Sequence, residues 1–223
     1  MKISVAIDGP VGSGKSTVAK AVAEAANIIY IDTGAMYRAV ALYNIRTGVN
    51  LTDKKAVENT LANIYIDIKH DAENRQRLIL NGEDVSDKLR TLEAGEGAST
   101  VAVIQAVREK LVALQQNLAK KYDAVMDGRD IGTHVLPNAQ VKIYLDASVE
   151  ERTHRRCSEL EKIGEEANFE QVQEAIKIRD ERDMNREFSP LVKAEDAIYL
   201  TTDGLTVQEI TNMIIDKMKK VRG

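Results

Sequence analysis

The chain has 223 residues, of which 43% are hydrophobic, so it can form one sizeable α/β domain with an insertion or two small domains. A formal net charge of −4, the absence of tryptophan and an aromatic content of only 4% argue against a basic or base-stacking surface for nucleic acid. The single cysteine, Cys157, excludes an intramolecular disulfide, and no apolar run approaches the length of a membrane span. We expect no signal peptide, because a strand begins within a few residues of the first methionine, and therefore a soluble, cytoplasmic protein.

Strand and helix patterns alternate along most of the chain, which predicts a parallel sheet with crossover helices. In chain order, the predicted elements outside residues 64–90 are a strand at 2–7, a helix at 17–26, a strand at 28–31, helices at 35–43 and 53–64, helical structure over 92–121, strands at 124–127 and 141–146, helices at 149–162 and 171–186, a strand at 197–200 and a helix at 207–221. The pattern over 92–121 fits one helix or two. Thr52, Ser148 and Thr206 are the predicted N-caps of the helices that follow them.

The pattern changes between about residues 64 and 90. Residues 65–69 alternate between apolar and polar side chains with period two, and residues 77–80 form another short apolar run that Asn81 and Gly82 close. We expect antiparallel strands here, inserted into the α/β chain as a flap or a small lobe.

The most specific motif lies between the first strand and the first helix. It matches the phosphate-binding pattern G-x-x-x-x-G-K-[ST] through Gly9, Pro10, Val11, Gly12, Ser13, Gly14, Lys15, Ser16 and Thr17. Such a loop directs backbone N–H groups at phosphate oxygens, with the partial positive charge of the helix N-terminus behind them. Lys15 is predicted to reach the β- and γ-phosphates and the Ser16 hydroxyl to bind Mg²⁺. The alternative is a glycine-rich turn without a ligand.

A second candidate stretch, residues 32–38, follows the second strand, where ligands bind in parallel α/β sheets. Thr33 offers a hydroxyl there, and Arg38 can bind an anion with two parallel hydrogen bonds. The alternative is that Thr33 merely caps the helix and Arg38 is solvated.

A third stretch, residues 127–130, follows a buried strand. Asp127 stands where a carboxylate would hold Mg²⁺ directly or through a water molecule. Arg129 can bind a phosphate, and Asp130 can accept hydrogen bonds from an exocyclic amine. The alternative is a charged surface turn, which the burial of the preceding strand disfavours.

Arginines are concentrated in the two helices on either side of a polar break at 164–168. Phosphoryl transfer needs cations around the migrating group, and a lid could deliver them while excluding water. The alternative is a solvated face with ion pairs. We favour a functional role for Arg156, Arg179 and Arg186. Arg152 and Arg182 are undecided, and Arg155 is expected to be solvated.

Together these stretches resemble the bacterial cytidylate kinases (CMP/dCMP kinases), which are nucleoside monophosphate kinases of the P-loop type. The likeness follows the whole chain in order and includes residues 80–86, which resemble the β-rich insertion of the longer bacterial enzymes. The resemblance implies an α/β fold, with a P-loop kinase core whose parallel sheet is flanked by helices, a small β-rich insertion in the acceptor-binding lobe, and a short lid. Within a single kinase domain, the core would be 1–31, 122–150 and 190–223, the acceptor lobe 32–121 with its insertion at about 64–90, and the lid 151–189.

The resemblance also implies an activity, in which the γ-phosphoryl group of ATP passes directly to CMP or dCMP with Mg²⁺, in a monomer without nucleic-acid or membrane partners. It places the CMP contacts at Thr33, Tyr37, Arg38, Ser99, Arg108, Arg129, Asp130, Arg179, Asp183 and Arg186. The base contacts among them would be Thr33, Arg108, Asp130 and Arg186, the phosphate contacts Arg38 and Arg129, and the ribose contacts Ser99, Arg179 and Asp183. Tyr37 would pack in the acceptor pocket. The implied catalytic cations are Lys15, Arg156, Arg179 and Arg186.

Other readings stay open on the residues alone. A kinase for another acceptor, such as UMP, AMP or shikimate, is the nearest alternative. A P-loop ATPase or a nucleotide switch belongs to a different class, and the guanine-reading N-K-x-D stretch of a small GTPase is missing from the sequence.

Overall fold

The computed structural model describes residues 2–72, 75–89, 91–162 and 164–222. Residues 73, 74 and 90 of the predicted insertion therefore lie outside the described residues. Contacts divide the chain into two compact units. The first comprises the residues up to Ile28 and those from Asp123 onward, and the second is Ile29–Tyr122.

The regular elements are close to those predicted. The strands are β1 (Ser4–Asp8), β2 (Ile29–Asp32), β3 (Ile66–His70), β4 (Gln76–Leu80), β5 (Glu83–Asp84), β6 (Ala124–Gly128), β7 (Val141–Asp146) and β8 (Ile198–Thr201). The α-helices are α1 (Lys15–Ala26), α2 (Thr33–Arg46), α3 (Lys54–Thr60), α4 (Leu92–Val101), α5 (Gln105–Lys121), α6 (Val149–Lys162), α7 (Phe169–Asn185) and α8 (Val207–Arg222).

The core of the first unit is a parallel sheet in which β6, β1, β7 and β8 are neighbours in that order. All five residues of β1 are buried, as expected for the apolar central strand of a sheet covered on both faces. Helices α1 and α8 pack on each other, α1 also on β6 and α8 on β7. Because the strands are parallel, their carboxyl ends lie at one edge, which brings Asp8 and Asp127 to the same edge.

Two predicted caps in this unit are confirmed. The Ser148 hydroxyl accepts a hydrogen bond from the N–H of Glu151 at the start of α6, at 3.2 Å. The Thr206 hydroxyl accepts one from the N–H of Glu209 at 3.2 Å, and the Glu209 carboxylate accepts from the Thr206 N–H at 2.8 Å. This reciprocal capping box satisfies two backbone donors at the start of α8.

The second unit is organised around α2, which packs against α4 and α5. Gly97 permits the close approach of α4, since a Cβ atom there would lie 2.8 Å from the Cβ of Ala41. The structure also decides between one helix and two over 92–121, because α4 ends at Val101 and α5 begins at Gln105. Strands β3, β4 and β5 form the expected small antiparallel sheet.

Two local predictions in this unit need correction. The N-cap of α3 is Asp53, not Thr52, because the Asp53 carboxylate accepts from the N–H of Ala56 at 3.0 Å while the Thr52 hydroxyl binds the side chain of Asn50. The short strand β5 was not predicted, since two charged residues give no periodic signal. The fold class itself is confirmed as an α/β chain with a helix-flanked parallel sheet and a small antiparallel sheet.

Candidate active site

The predicted phosphate-binding loop joins β1 to α1 in the first unit. Gly9, Gly12 and Gly14 have φ values of 152°, 76° and 85°, a region that side chains disfavour. Gly9 also has no room for a side chain, because a Cβ atom there would lie 1.9 Å from the carbonyl oxygen of Leu145. The loop and the start of α1 thus have the backbone form that directs N–H groups at an anion.

Lys15 is buried at the start of α1. Its ammonium group donates to the carbonyl oxygen of Pro10 and to the Ser13 hydroxyl at 3.2 Å. Burial lowers the pKa of Lys15 well below its ordinary range, and the positive charge of Arg129 lowers it further. A bound phosphate would reverse this effect, because its negative charge stabilises the protonated amine.

The Ser16 hydroxyl donates to the carboxylate of Asp127 at 2.7 Å. Asp127 is buried in β6, one residue from the end of that strand. Both groups offer oxygen atoms, which are the ligands that Mg²⁺ prefers, so the two residues fit the predicted metal site. Within the described residues there is no group of three or more His, Cys, Asp or Glu side chains placed to hold a metal.

The residues after β6 contact α7. Arg129 donates to the carboxylate of Asp183 at 2.8 Å. Burial alone would raise the pKa of Asp183, but the attraction of Arg129, supported by Arg179 and Arg186, lowers it below its ordinary value. Asp183 is therefore an ionised carboxylate surrounded by arginines.

Asp130 is also buried, and a guanidinium nitrogen of Arg186 lies 3.5 Å from its carboxylate. The side chain of Arg186 is only 4% exposed. The structure thus brings Asp130 and Arg186 together, although 56 residues of sequence separate them. The surface turn considered as an alternative for residues 127–130 does not occur.

The sequence did not indicate Asp8, which is the last residue of β1 and precedes the loop directly. Its carboxylate accepts hydrogen bonds from the N–H groups of Ile131 and Gly132, each at 2.7 Å. Asp8 therefore ties the loop to the turn that follows Asp130. The sequence pattern that could have indicated Asp8 is an acidic residue at the end of a strand, which is the pattern that identified Asp127.

The arginines of α6 occupy three different environments. Arg152, which was undecided, is buried. Arg155, which was expected to be solvated, is half-buried and donates to the Thr202 hydroxyl at 2.9 Å. Arg156 pairs with Glu159 on its own helix at 2.9 Å, with 39% of its side chain exposed. On α7, Arg179 is half-buried and Arg182 is exposed.

In the second unit, Asp32 has two roles at the start of α2. Its carboxylate accepts from the N–H of Ala35 at 2.8 Å, so Asp32 caps the helix and Thr33 does not. Its other oxygen accepts from the guanidinium of Arg38 at 2.7 Å. Thr33 is buried in the first turn and Arg38 is partly exposed. Thr33 is the first residue of α2, directly after β2, and Arg38 lies in the second turn of that helix.

Helices α4 and α5 bring further predicted residues together with α2. The guanidinium of Arg108 lies 5.6 Å from the centre of the Tyr37 ring, a cation–π contact, and donates to the carbonyl oxygen of Ala102 at 3.3 Å. Arg108 and Ser99 are both buried. These placements group the predicted residues, and the individual substrate roles stay predictions.

Comparison with known proteins decides the family. The family model described as cytidylate kinase matches residues 5–220. The chain belongs to the cytidylate kinase family. It is 49% identical to a cytidylate kinase of Bacillus pumilus over 220 residues, which cover 99% of this chain and 97% of that protein. It is 47% identical to a cytidylate kinase of Caldicellulosiruptor bescii over the same length and coverage.

Among solved structures, an uncharacterized protein from Eubacterium ventriosum has a TM-score of 0.53, 17% sequence identity and 99% coverage of both chains. This likeness supports the fold alone. Membership in the cytidylate kinase family implies ATP as co-substrate and nucleotides as substrates. Of the helices in the described residues, none is both long and apolar enough to cross a membrane.

Proposed function

We propose that this chain transfers the γ-phosphoryl group of ATP to CMP or dCMP, giving ADP and CDP or dCDP, by direct in-line transfer with Mg²⁺. The observation that carries this proposal is the match of nearly the whole chain to the cytidylate kinase family. A CMP phosphate is already anionic, so the reaction needs positioning and positive charge more than it needs a general base.

The first unit would hold the donor. The loop N–H groups and Lys15 would bind the ATP phosphates, and Ser16 with Asp127 would hold Mg²⁺, which neutralises phosphate charge when it is bound. Lys15 is suited to this role because a buried cation is costly without a negatively charged partner, and a phosphate would be that partner. The lid at 151–189 would add Arg156, Arg179 and Arg186 around the transferred group.

The acceptor contacts are proposed from the resemblance, residue by residue. Arg38 and Arg129 would bind the CMP phosphate. Both are held by carboxylates, Asp32 and Asp183, at 2.7 and 2.8 Å. A guanidinium has five N–H donors, so one that a carboxylate holds and that is not fully buried still has donors for a phosphate.

For the ribose we propose Ser99, Arg179 and Asp183, and for the base Thr33, Arg108, Asp130 and Arg186. Asp130 would accept from the amine of cytosine. Uracil presents a carbonyl oxygen at that position, so UMP would face the Asp130 carboxylate with an acceptor in place of the amine donor, at a cost of about 1–3 kcal/mol. Tyr37 would form the apolar wall that its contact with Arg108 stabilises.

Organisation and location are also proposed. Residues 32–121 would act as the acceptor lobe and 151–189 as the lid of a single kinase domain. We propose a cytoplasmic monomer, since one cysteine allows no intramolecular disulfide and the resemblance to the family implies a monomer.

The test is ADP release, coupled to an indicator reaction, with MgATP and each of CMP, dCMP, UMP, AMP, GMP and shikimate. A sample without acceptor is the control. Release with CMP and dCMP alone would support both the reaction and the base contacts. Release with another acceptor would contradict the base contacts, and release without any acceptor would indicate an ATPase or a switch.

A further inference from the structure

Three successive peptide groups of the phosphate-binding loop are each held by a cation through the carbonyl oxygen. The contacts are Lys15 Nζ to Pro10 O, Arg152 Nη1 to Val11 O at 3.1 Å, and Arg155 Nη1 to Gly12 O at 3.5 Å. The third is long, and Lys15 is already assigned to the donor phosphates. The second contact belongs to a residue with no assigned role.

The contact to Val11 has a geometric consequence for the loop. The chain has no cis peptide bonds among its described residues, and in a trans peptide the C=O and the following N–H point in opposite directions. Holding the Val11 carbonyl on Arg152 therefore turns the N–H of Gly12 away from Arg152. Because loops of this kind bind anions through their N–H groups, this contact presets one of the donors.

The side chain of Arg152, which belongs to α6, is buried against the loop. It is 4% exposed, and its Nε donates to the carbonyl oxygen of Ala147 at 3.0 Å. A Cβ atom on Gly12 would lie 3.2 Å from the Cβ of Arg152, so the loop packs directly on the arginine stem. The side chain of Arg152 is thus held both at its stem and at its guanidinium group.

A carboxylate from α7 holds the same guanidinium. Arg152 Nη1 lies 2.6 Å from Asp180 Oδ2, and both side chains are buried. Burial raises the pKa of Asp180 and the charge of Arg152 opposes that rise. Burying such a pair is costly and gives little net stability, so a stabilising role does not by itself account for it. Asp180 is three residues before Asp183, which holds Arg129 in the same manner.

We propose that Arg152 is a positioning residue of the donor-phosphate site, which presets the Val11–Gly12 peptide for anion binding, and that Asp180 fixes Arg152 from α7. The inference depends on the proposed function only in taking this loop as the site for the ATP phosphates. Arg152 itself contacts no substrate in this scheme.

The test compares nucleotide binding with stability. Arg152→Met alone would leave Asp180 buried without its partner, so the decisive variant is Arg152→Met with Asp180→Asn, which removes both charges. Isothermal titration should show that the Kd for MgATP rises about tenfold, the cost of one lost positioning hydrogen bond. The Kd for CMP should be unchanged. Arg152→Lys keeps the charge but places all its donors on one nitrogen, so it should give an intermediate Kd for MgATP.

The matched control is Lys142→Met. Lys142 is a buried cation that donates to the carbonyl oxygen of Pro137 and pairs with Asp196, remote in sequence from the loop. It should lower the Tm with no change in MgATP affinity. An unchanged MgATP affinity in the folded double variant, or equal weakening of MgATP and CMP, would overturn the proposal. If the double variant does not fold, Arg152→Lys decides, and wild-type affinity for MgATP in that variant would overturn it.

The two proposals fail separately. A wild-type protein that binds MgATP but does not phosphorylate CMP would contradict the proposed function. The role of Arg152 would still be tested, because that test compares the MgATP affinity and the Tm of the variants with those of the wild type.

Discussion

The buried carboxylate of Asp8 should make the stability of the folded chain depend on pH in an unusual direction. Asp8 is 4% exposed. Burial raises its pKa from 3.8 to about 6, although the hydrogen bonds from Gly132 and Ile131 act against that rise. We therefore expect Asp8 to titrate near pH 6 in the folded chain.

The sign follows from linkage. The folded chain binds this proton more tightly than the unfolded chain, so the stabilising contribution is complete below the unfolded pKa of 3.8 and is lost as the pH rises through about 6. One pKa unit corresponds to about 1.4 kcal/mol, so the loss from Asp8 is roughly 3 kcal/mol. The lowered pKa of Asp183 acts at lower pH, outside this window. The raised pKa of Asp180 acts in the same direction as that of Asp8, so a variant is needed to separate them.

The variant is Asp8→Asn, which keeps the shape of the side chain and removes its titration. Urea unfolding between about pH 4 and pH 7.5 gives the free energy of unfolding of both proteins. The wild-type value minus the variant value should fall by roughly 2.5 kcal/mol across that range, because part of the contribution is already lost at pH 4. In this variant the NH₂ group of the new side-chain amide would face one of the two backbone N–H donors that Asp8 binds. That repulsion lowers the free energy of unfolding by an amount that does not depend on pH. Asp67→Asn, at an exposed residue of β3, is the control and should run parallel to the wild type.

Two results would refute this reasoning. One is a constant difference in stability between wild type and Asp8→Asn over the whole range. The other is an NMR titration in which the Asp8 carboxyl signal changes near pH 4, because burial would then not disfavour the charged form.

Three further outcomes are expected. Lys15→Ala should abolish ADP release with CMP while its far-UV circular dichroism and Tm stay near those of the wild type, and substantial residual turnover would count against Lys15 as the phosphate ligand. Gly9→Ala should lower the Tm strongly because its Cβ atom would lie 1.9 Å from the carbonyl oxygen of Leu145, whereas Gly95→Ala, in a helix with no atom near its Cβ, should be neutral or stabilising. Asp130→Ala should reduce CMP phosphorylation far more than MgATP affinity, and equal losses in both would place it elsewhere.

Much of the secondary structure followed from local patterns in the sequence. The phosphate-binding loop is contiguous, so its glycines, lysine and flanking elements could be recognised from the sequence alone, although the distant Arg152 also holds one of its carbonyl groups. The caps at Ser148 and Thr206 were predicted for the same reason, since each bonds within its own first turn. Thr52 failed as a cap because Asp53, the next residue, is the better N-cap residue, a preference that the prediction did not apply.

Sequence motifs also placed Asp127, Arg129 and Asp130 correctly at the end of a buried strand. The partners of these residues were not predictable, because Arg129 finds Asp183 across 54 residues and Asp130 finds Arg186 across 56. A run of charged residues in a predicted helix looks the same in the sequence whether its side chains are solvated or form ion pairs.

The sequence by itself therefore determined the donor loop, the order of the strands and helices apart from β5, and the family resemblance. Tertiary structure alone decided which charges are buried and what they hold. Arg152 and Arg155 differ by less than one helical turn, yet the first is buried against the loop and the second only half-buried. The physical reason is that burial of a charge depends on its partner, and the partners of Arg152, Val11 and Asp180, lie 141 and 28 residues away.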